Sequence, residues 1–318
     1  MLLSQTVLSF FAATCGLVSA ASITDVCTVG YCTLGSGTSG GKGGETVTVT
    51  TLAALTSAVA DSTPRIVVVS GTISGAAKVL VGSNKSIIGR NSGHLVGIGL
   101  FLNHSSNVII RNTIHSKVLS TYEDEITIKY STNVWVDHVD LSNDRDHDKD
   151  YYDGLVDVTR ASDYVTISNS YLHDHWKGSL VGHSDNNQAE DTGHLRVTYA
   201  NNHFYNLYSR GPMFRIGTGH LFNNYWQDLD DGVRTRAGAQ LLIESSAMDT
   251  EKAKVFEGTN DAIIAKDGYA VVRDVDLGQG TNEAPAGTLT SVPYAYTLLG
   301  SAKVKAAVVG VAGATLSL

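Results

Sequence analysis

The feature that most restricts how this chain can fold is a repeat. Short runs rich in β-branched residues recur at 65–70, 85–91, 107–112, 133–138, 164–169, 196–201, 219–224 and 240–245. Each alternates apolar and polar residues and ends in Asn, Asp, His or Ser. With Ser86, Val108, Val134, Val165, Val197, His220 and Leu241 as matching anchors, the gaps are 22, 26, 31, 32, 23 and 21 residues. A unit of this length that cannot bury its apolar face alone predicts a solenoid. Because the units are strands, the expected fold is all-β: a single-domain, right-handed parallel β-helix, one strand per sheet in each turn. Recurrent Asn suits tight bends and stacked amide ladders. A β-sandwich also repeats at short spacing, but the hairpin dipeptide Asn-Gly does not occur.

One helix is expected before the repeat. Leu52, Leu55 and Val59 share a helical face and Thr51 is placed to cap it. It would cover the open N-terminal end of the stack. The apolar segment 306–318 is too short to span a membrane, which takes about 20 residues, and should pack back on the solenoid. No stretch reads as a linker between domains.

Residues 1–20 have an apolar centre, no acid and the small-residue ending Val18-Ser19-Ala20. They read as a signal peptide, leaving 21–318 as the secreted domain. A membrane anchor is the competing reading. The net charge of −8, with 23 basic residues among 318, argues against general nucleic-acid binding. In a secreted protein Cys27 and Cys32 can form a small-loop disulfide. Asn84-Lys85-Ser86 and Asn103-His104-Ser105 match the glycosylation acceptor pattern.

The gaps of 31 and 32 give one flank longer loops, and extra length on one side of a solenoid usually builds its binding surface. In that region Asp153 and Asp157 bracket Gly154, which can supply a turn. Asp124 lies about one turn earlier. Clustered carboxylates favour a hard cation such as Ca²⁺, and a solvated acidic face remains open beside that reading. Later turns carry Lys177, Arg210 and Arg215, with Arg215 facing outward between Phe214 and Ile216. His138, His173, His175 and His183 form no His-Glu-x-x-His pattern and read as hydrogen-bonding histidines. The polar run 143–150 reads as a self-satisfied surface loop.

Several segments together resemble one family: Asn133-Val134-Trp135-Val136-Asp137-His138, the run from Asp144 to Gly154, His173-Asp174-His175-Trp176-Lys177, and the segment from Arg210 to Arg215. They are similar to the secreted pectate lyases of polysaccharide lyase family 1, in particular the fungal ones, from about Gly41 to Tyr296. The resemblance implies Ca²⁺-dependent β-elimination on polygalacturonate by an extracellular, monomeric enzyme. It implies Asp124, Asp153 and Asp157 as calcium ligands, Lys177 and Arg215 as contacts to substrate carboxylates, and Arg210 as the residue removing the C5 proton. Trp135, Asp137 and His138 match a structural motif. Some members carry a further calcium aspartate where this chain has Tyr122, which leaves either Glu123 as a substitute or a primary site with fewer side-chain ligands. The alternatives are a pectin lyase on methyl-esterified polymer, a polygalacturonase-type hydrolase, and a non-catalytic pectin-binding solenoid.

Overall fold

The computed structural model describes residues 20–249 and 261–318. The signal peptide expected over residues 1–20 lies, apart from Ala20, outside them. The strands pair in parallel, each with the equivalent strand one turn later, and form three long sheets around one core. In the first sheet Glu45, Arg65, Lys85, Val108, Val134, Val165, Val197, Gly219, Leu241 and Ala270 form a single register row. In the second, Ile73, Leu95, His115, Leu141, Leu172, Phe204, Trp226 and Met248 align, all buried. In the third, Leu80, Phe101, Thr127, Asp157, Leu180, Met213 and Arg234 align.

Two of the seven anchors were off by one residue, and each for a physical reason. Ser86 pairs with Ile66 and Ile109, whereas Lys85 occupies the row of Val108. Lys85 is fully buried, and its ammonium donates to the carbonyls of Asp61, Thr63 and Ser83 at 2.7, 2.6 and 3.0 Å. A lysine thus takes a position where alternation predicts an apolar residue. His220 pairs with Thr198 and Leu242, and Gly219 holds the Val197 row. A Cβ on Gly219 would stand 2.6 Å from Leu241 and 2.7 Å from the Phe214 ring, so the row loses a side chain where that ring fills the core.

The expected amide ladders are present. Asn169 donates to Asp137, Asn201 to Asn169, Asn223 to Asn201, and the Ser245 hydroxyl to Asn223, at 2.8, 3.1, 3.1 and 2.8 Å. The three asparagines turn the chain at φ of 49°, 57° and 55°, a region Asn tolerates better than most residues. A second ladder is internal. Asn224 donates to the Tyr199 carbonyl at 2.8 Å and accepts from the backbone and side-chain N–H of Asn202 at 3.0 and 3.1 Å.

The helix Leu52–Val59 forms as expected, with the Ala54 amide donating to the Thr51 hydroxyl at 3.2 Å and Leu55 and Val59 in the core. A disulfide joins Cys27 and Cys32. The helix Ser301–Val308 was not anticipated; its Val304 and Val308 pack with Tyr225 and Ala247. The tail does return to the solenoid: Leu316 donates to and accepts from the Asn112 side chain at 2.9 and 3.0 Å. Among the described residues no helix is long and apolar enough to cross a membrane.

Two stability outcomes follow. Asn224→Ala strands the buried Tyr199 carbonyl and the Asn202 amides on the preceding turn and should cost about 3 kcal/mol, read from urea unfolding. Burial lowers His115 to about 3 and His203 and His220 to about 4. The unfolded chain, with ordinary histidines near 6.5, binds protons that the folded form refuses. These three histidines therefore contribute stability that is lost as pH drops from about 6.5 toward 4. Followed by NMR, their rings should stay neutral in the folded protein at about pH 5, where unfolded histidines are charged; titration near 6.5 would contradict this.

Candidate active site

On the outer face of the third sheet, Asp157 projects from the strand Val156–Thr159 while its neighbours Val156 and Val158 point into the core. One of its oxygens accepts from the Leu180 amide at 2.9 Å. Asp124 precedes the strand Ile126–Lys129 on the preceding turn. It accepts from the Gly154 amide and the Thr127 hydroxyl, both at 2.8 Å. It therefore stacks against Gly154, not Asp153.

Gly154 brings the two acids together differently from the turn expected of it, since its φ is not positive. What it contributes is the missing side chain. A Cβ there would stand 2.9 Å from Asp124 Oδ1 and 2.8 Å from Asp157 Oδ1. Both carboxylates crowd that space, and both are nearly sealed from solvent. Burial first, and then the charge of Asp153, raises Asp124 to about 6. Burial, and then the charge of Asp124, lifts Asp157 well above the usual range. The nearest cationic group to Asp157 is the Arg210 guanidinium, at 3.9 Å. Two buried acids, both raised by burial and by neighbouring carboxylates, indicate a site short of positive charge.

Asp153 is held on both sides. The buried ring of His175 donates to its carbonyl at 2.5 Å, and Lys177 donates to its carboxylate at 2.9 Å while also reaching Asp150 at 3.2 Å. Arg210 follows the strand His203–Ser209 at φ 64°, and its carbonyl accepts from the Ser179 amide at 2.8 Å. Asp124, Asp153, Asp157 and Arg210 line one cleft of about 300 Å³, together with Glu123, Lys129, Arg160 and His183. Lys177 joins them through Asp153. Arg215 stands farther along, donating to Asp185 at 2.7 Å and to the Gly182 carbonyl at 3.0 Å.

Asp185 and Arg236 were not expected. Arg236 pairs in register with Arg215, and both guanidinium groups grip Asp185. Extending the repeat by one turn would have found Arg236. Nothing in the polar run around Asp185 distinguishes it. Glu123 lines the cleft, but its carboxylate is held by Lys78 at 3.2 Å and Lys129 at 2.5 Å. Among the described residues no three Asp, Glu, His or Cys side chains converge as a ready metal cage.

The histidines act largely as hydrogen-bonding groups. His138 pairs with Asp137, and His173 lies between Asp140 and Asp174. His183 faces the cleft. The 143–150 loop is less self-contained than expected: Arg145 crosses to Asn206 and Asp230 at 3.0 and 3.1 Å and lies over Trp176. Asp137 is buried and accepts from Arg111, His138, Ser168 and Asn169 on the first sheet.

The family profile described as pectate lyase matches residues 4–317. The chain belongs to the pectate lyase family. It is 58% identical over 300 residues to pectate lyase B of Colletotrichum gloeosporioides, covering 93% of this chain and 88% of that one. It is 54% identical over 318 residues to a probable pectate lyase A of Aspergillus niger, covering 99% and 96%. Its fold superposes with TM-score 0.79 on a pectate lyase from Bacillus sp. N165 solved in complex with trigalacturonate, at 29% identity over 90% of this chain and 98% of that one.

In this pectate lyase, Gly154→Ala forces one of the two acids from its place. Lyase turnover should fall about 100-fold, as expected for misplacement of roughly 1 Å, with the far-ultraviolet circular dichroism unchanged. Turnover within a few-fold of wild type would mean that the crowding at Gly154 is not needed.

Proposed function

We propose that this protein is an extracellular pectate lyase that cleaves α-1,4-linked polygalacturonate by β-elimination, giving 4,5-unsaturated oligogalacturonides. The observation that carries the reading is the cleft itself: two buried, mutually repelling carboxylates face Arg210, with Lys177 and Arg215 on later turns. A site short of positive charge on one side and lined by cationic side chains on the other suits an anionic polymer bridged by a cation.

The donors fit Ca²⁺, being hard carboxylate oxygens from Asp124, Asp153 and Asp157. Among the described residues the buried charges of Asp124 and Asp157 lack a close cationic partner, and that of Asp153 is covered by Lys177. Bound Ca²⁺ would offset the negative charge that builds on a uronate carboxylate when C5 loses its proton. Lys177 is released from Asp153 to hold a sugar carboxylate, and Arg215 holds another. Arg210 takes the C5 proton, a role implied by the family resemblance. The C–H electron pair becomes the C4–C5 double bond as the C4–O bond breaks, and the departing oxygen takes up a proton. Arg210 takes the C5 proton as a neutral guanidine and becomes a guanidinium, whose positive charge then stands beside the developing anion.

The same reading makes residues 21–318 a single right-handed domain, capped at its N-terminal end by the helix Leu52–Val59 and secreted as a monomer after cleavage at Ala20. Asn103 is exposed, whereas the Asn84 side chain is tied by bonds to Ser62 and Asn107. Asn103 is therefore the acceptor that a glycan fits.

The test is turnover of polygalacturonate and of highly methylated pectin, each with Ca²⁺ and with EDTA, followed by the ultraviolet absorbance of the new double bond. Activity confined to polygalacturonate with Ca²⁺ is expected. Activity that survives EDTA would sink the calcium reading; preference for methylated pectin would favour a pectin lyase; saturated products would indicate a hydrolase. Arg210→Ala should lose about 10³-fold in turnover while still binding polymer, and near-normal turnover would remove Arg210 from its role.

A further inference from the structure

The row that carries Asp157 continues beyond the cleft. Thr127 precedes Asp157 in register, Phe101 precedes Thr127, and Leu80 precedes Phe101. With about 4.8 Å between neighbouring strands, Phe101 stands roughly 10 Å and Leu80 roughly 14 Å from Asp157 along the same outer face. Leu80 is 58% exposed, and Phe101 is half-buried beside it. This apolar pair lies outside the core, and its exposed surface is open to a ligand moving along the sheet.

Two lysines frame this pair. Lys78 lies 4.7 Å and Lys129 5.2 Å from the centre of the Phe101 ring. Both ammonium groups turn to a single carboxylate, that of Glu123, at 3.2 and 2.5 Å. The group thus has two positive charges and one negative, in a chain whose net charge is −8. Lys129 and Glu123 also line the cleft, so the patch is continuous with it.

We infer that Leu80, Phe101, Lys78 and Lys129 form a distal subsite for one uronate unit of the polymer, extending the cleft toward the N-terminal end of the solenoid. The apolar C–H face of the pyranose lies on Leu80 and Phe101. Its carboxylate goes to Lys78 and Lys129, where Glu123 marks the place of an anionic group. Glu123 is therefore a holder of lysines and not a calcium ligand. The subsite matters only for substrates long enough to reach it from Asp157 and Arg210.

This inference rests on the pectate lyase reading, and the experiment separates the two. Wild type, Phe101→Ala and Lys78→Ala are assayed on trigalacturonate, hexagalacturonate and polygalacturonate, with thermal melts as a check on folding. Lys78 is a surface side chain, so its variant tests the subsite even if Phe101→Ala is unstable. In both variants kcat/KM on trigalacturonate should stay within twofold of wild type. On the longer substrates it should fall about tenfold through KM, and the product pattern should shift. An equal loss at every length, or no loss at any length, overturns the subsite while leaving the lyase intact. Wild type inert on all three substrates overturns the lyase reading and the subsite with it. A crystal structure with bound Ca²⁺ should show Glu123 still held by Lys78 and Lys129; a Glu123 oxygen coordinating the cation would overturn its place here.

Discussion

Everything in this molecule depends on the parallel register between successive turns. Each strand hydrogen-bonds to its equivalent one turn later, so a residue's outer neighbours are set by alignment and not by proximity in sequence. That alignment places Thr127, Asp157, Leu180 and Met213 in one column and Arg215 beside Arg236. A shift of one residue would turn Asp157 into the core and Val158 outward. The amide ladders and the filled interior oppose such a shift. Asn202 and Asn224 bond only to partners at the correct height, and Phe214 takes up the room left at Gly219.

A rigid column lets the protein keep an arrangement that would otherwise relax. Asp124 and Asp157 are buried close together although their charges repel, and backbone amides of Gly154 and Leu180 hold them there. The acids cannot swing into water, as surface carboxylates would. The opposing cations are treated differently: Lys177 is lent to Asp153, and Arg215 shares Asp185 with Arg236. The unmet negative charge is therefore fixed in place, and most of the positive charge is held by carboxylates that an anionic polymer can replace.

Much of this was legible in the sequence because a solenoid writes its architecture as a period. The strands, the ladders, the helix with its Thr51 cap, the outward direction of Arg215, and the returning tail follow from alternation and spacing. Misreadings arose where one residue's role was settled by a neighbour on another turn. Lys85 passes as polar surface until the three carbonyls around its ammonium are seen, and the space at Gly219 depends on Phe214. Gly154 looked like a turn residue because glycine's conformational freedom is apparent from sequence, whereas its lack of bulk between two distant acids is not. Asp185 carries no mark in the sequence, since its significance comes from two arginines that the fold delivers to it.

The central claim is that Asp124, Asp153 and Asp157 await a cation which an anionic sugar then shares. A crystal structure of Arg210→Ala soaked with Ca²⁺ and an oligogalacturonate tests it most directly. The account predicts a cation coordinated by those three carboxylates and by a sugar carboxylate, with Lys177 released from Asp153. A sugar bound in the cleft with no cation among these acids, or a cation held elsewhere, would contradict it.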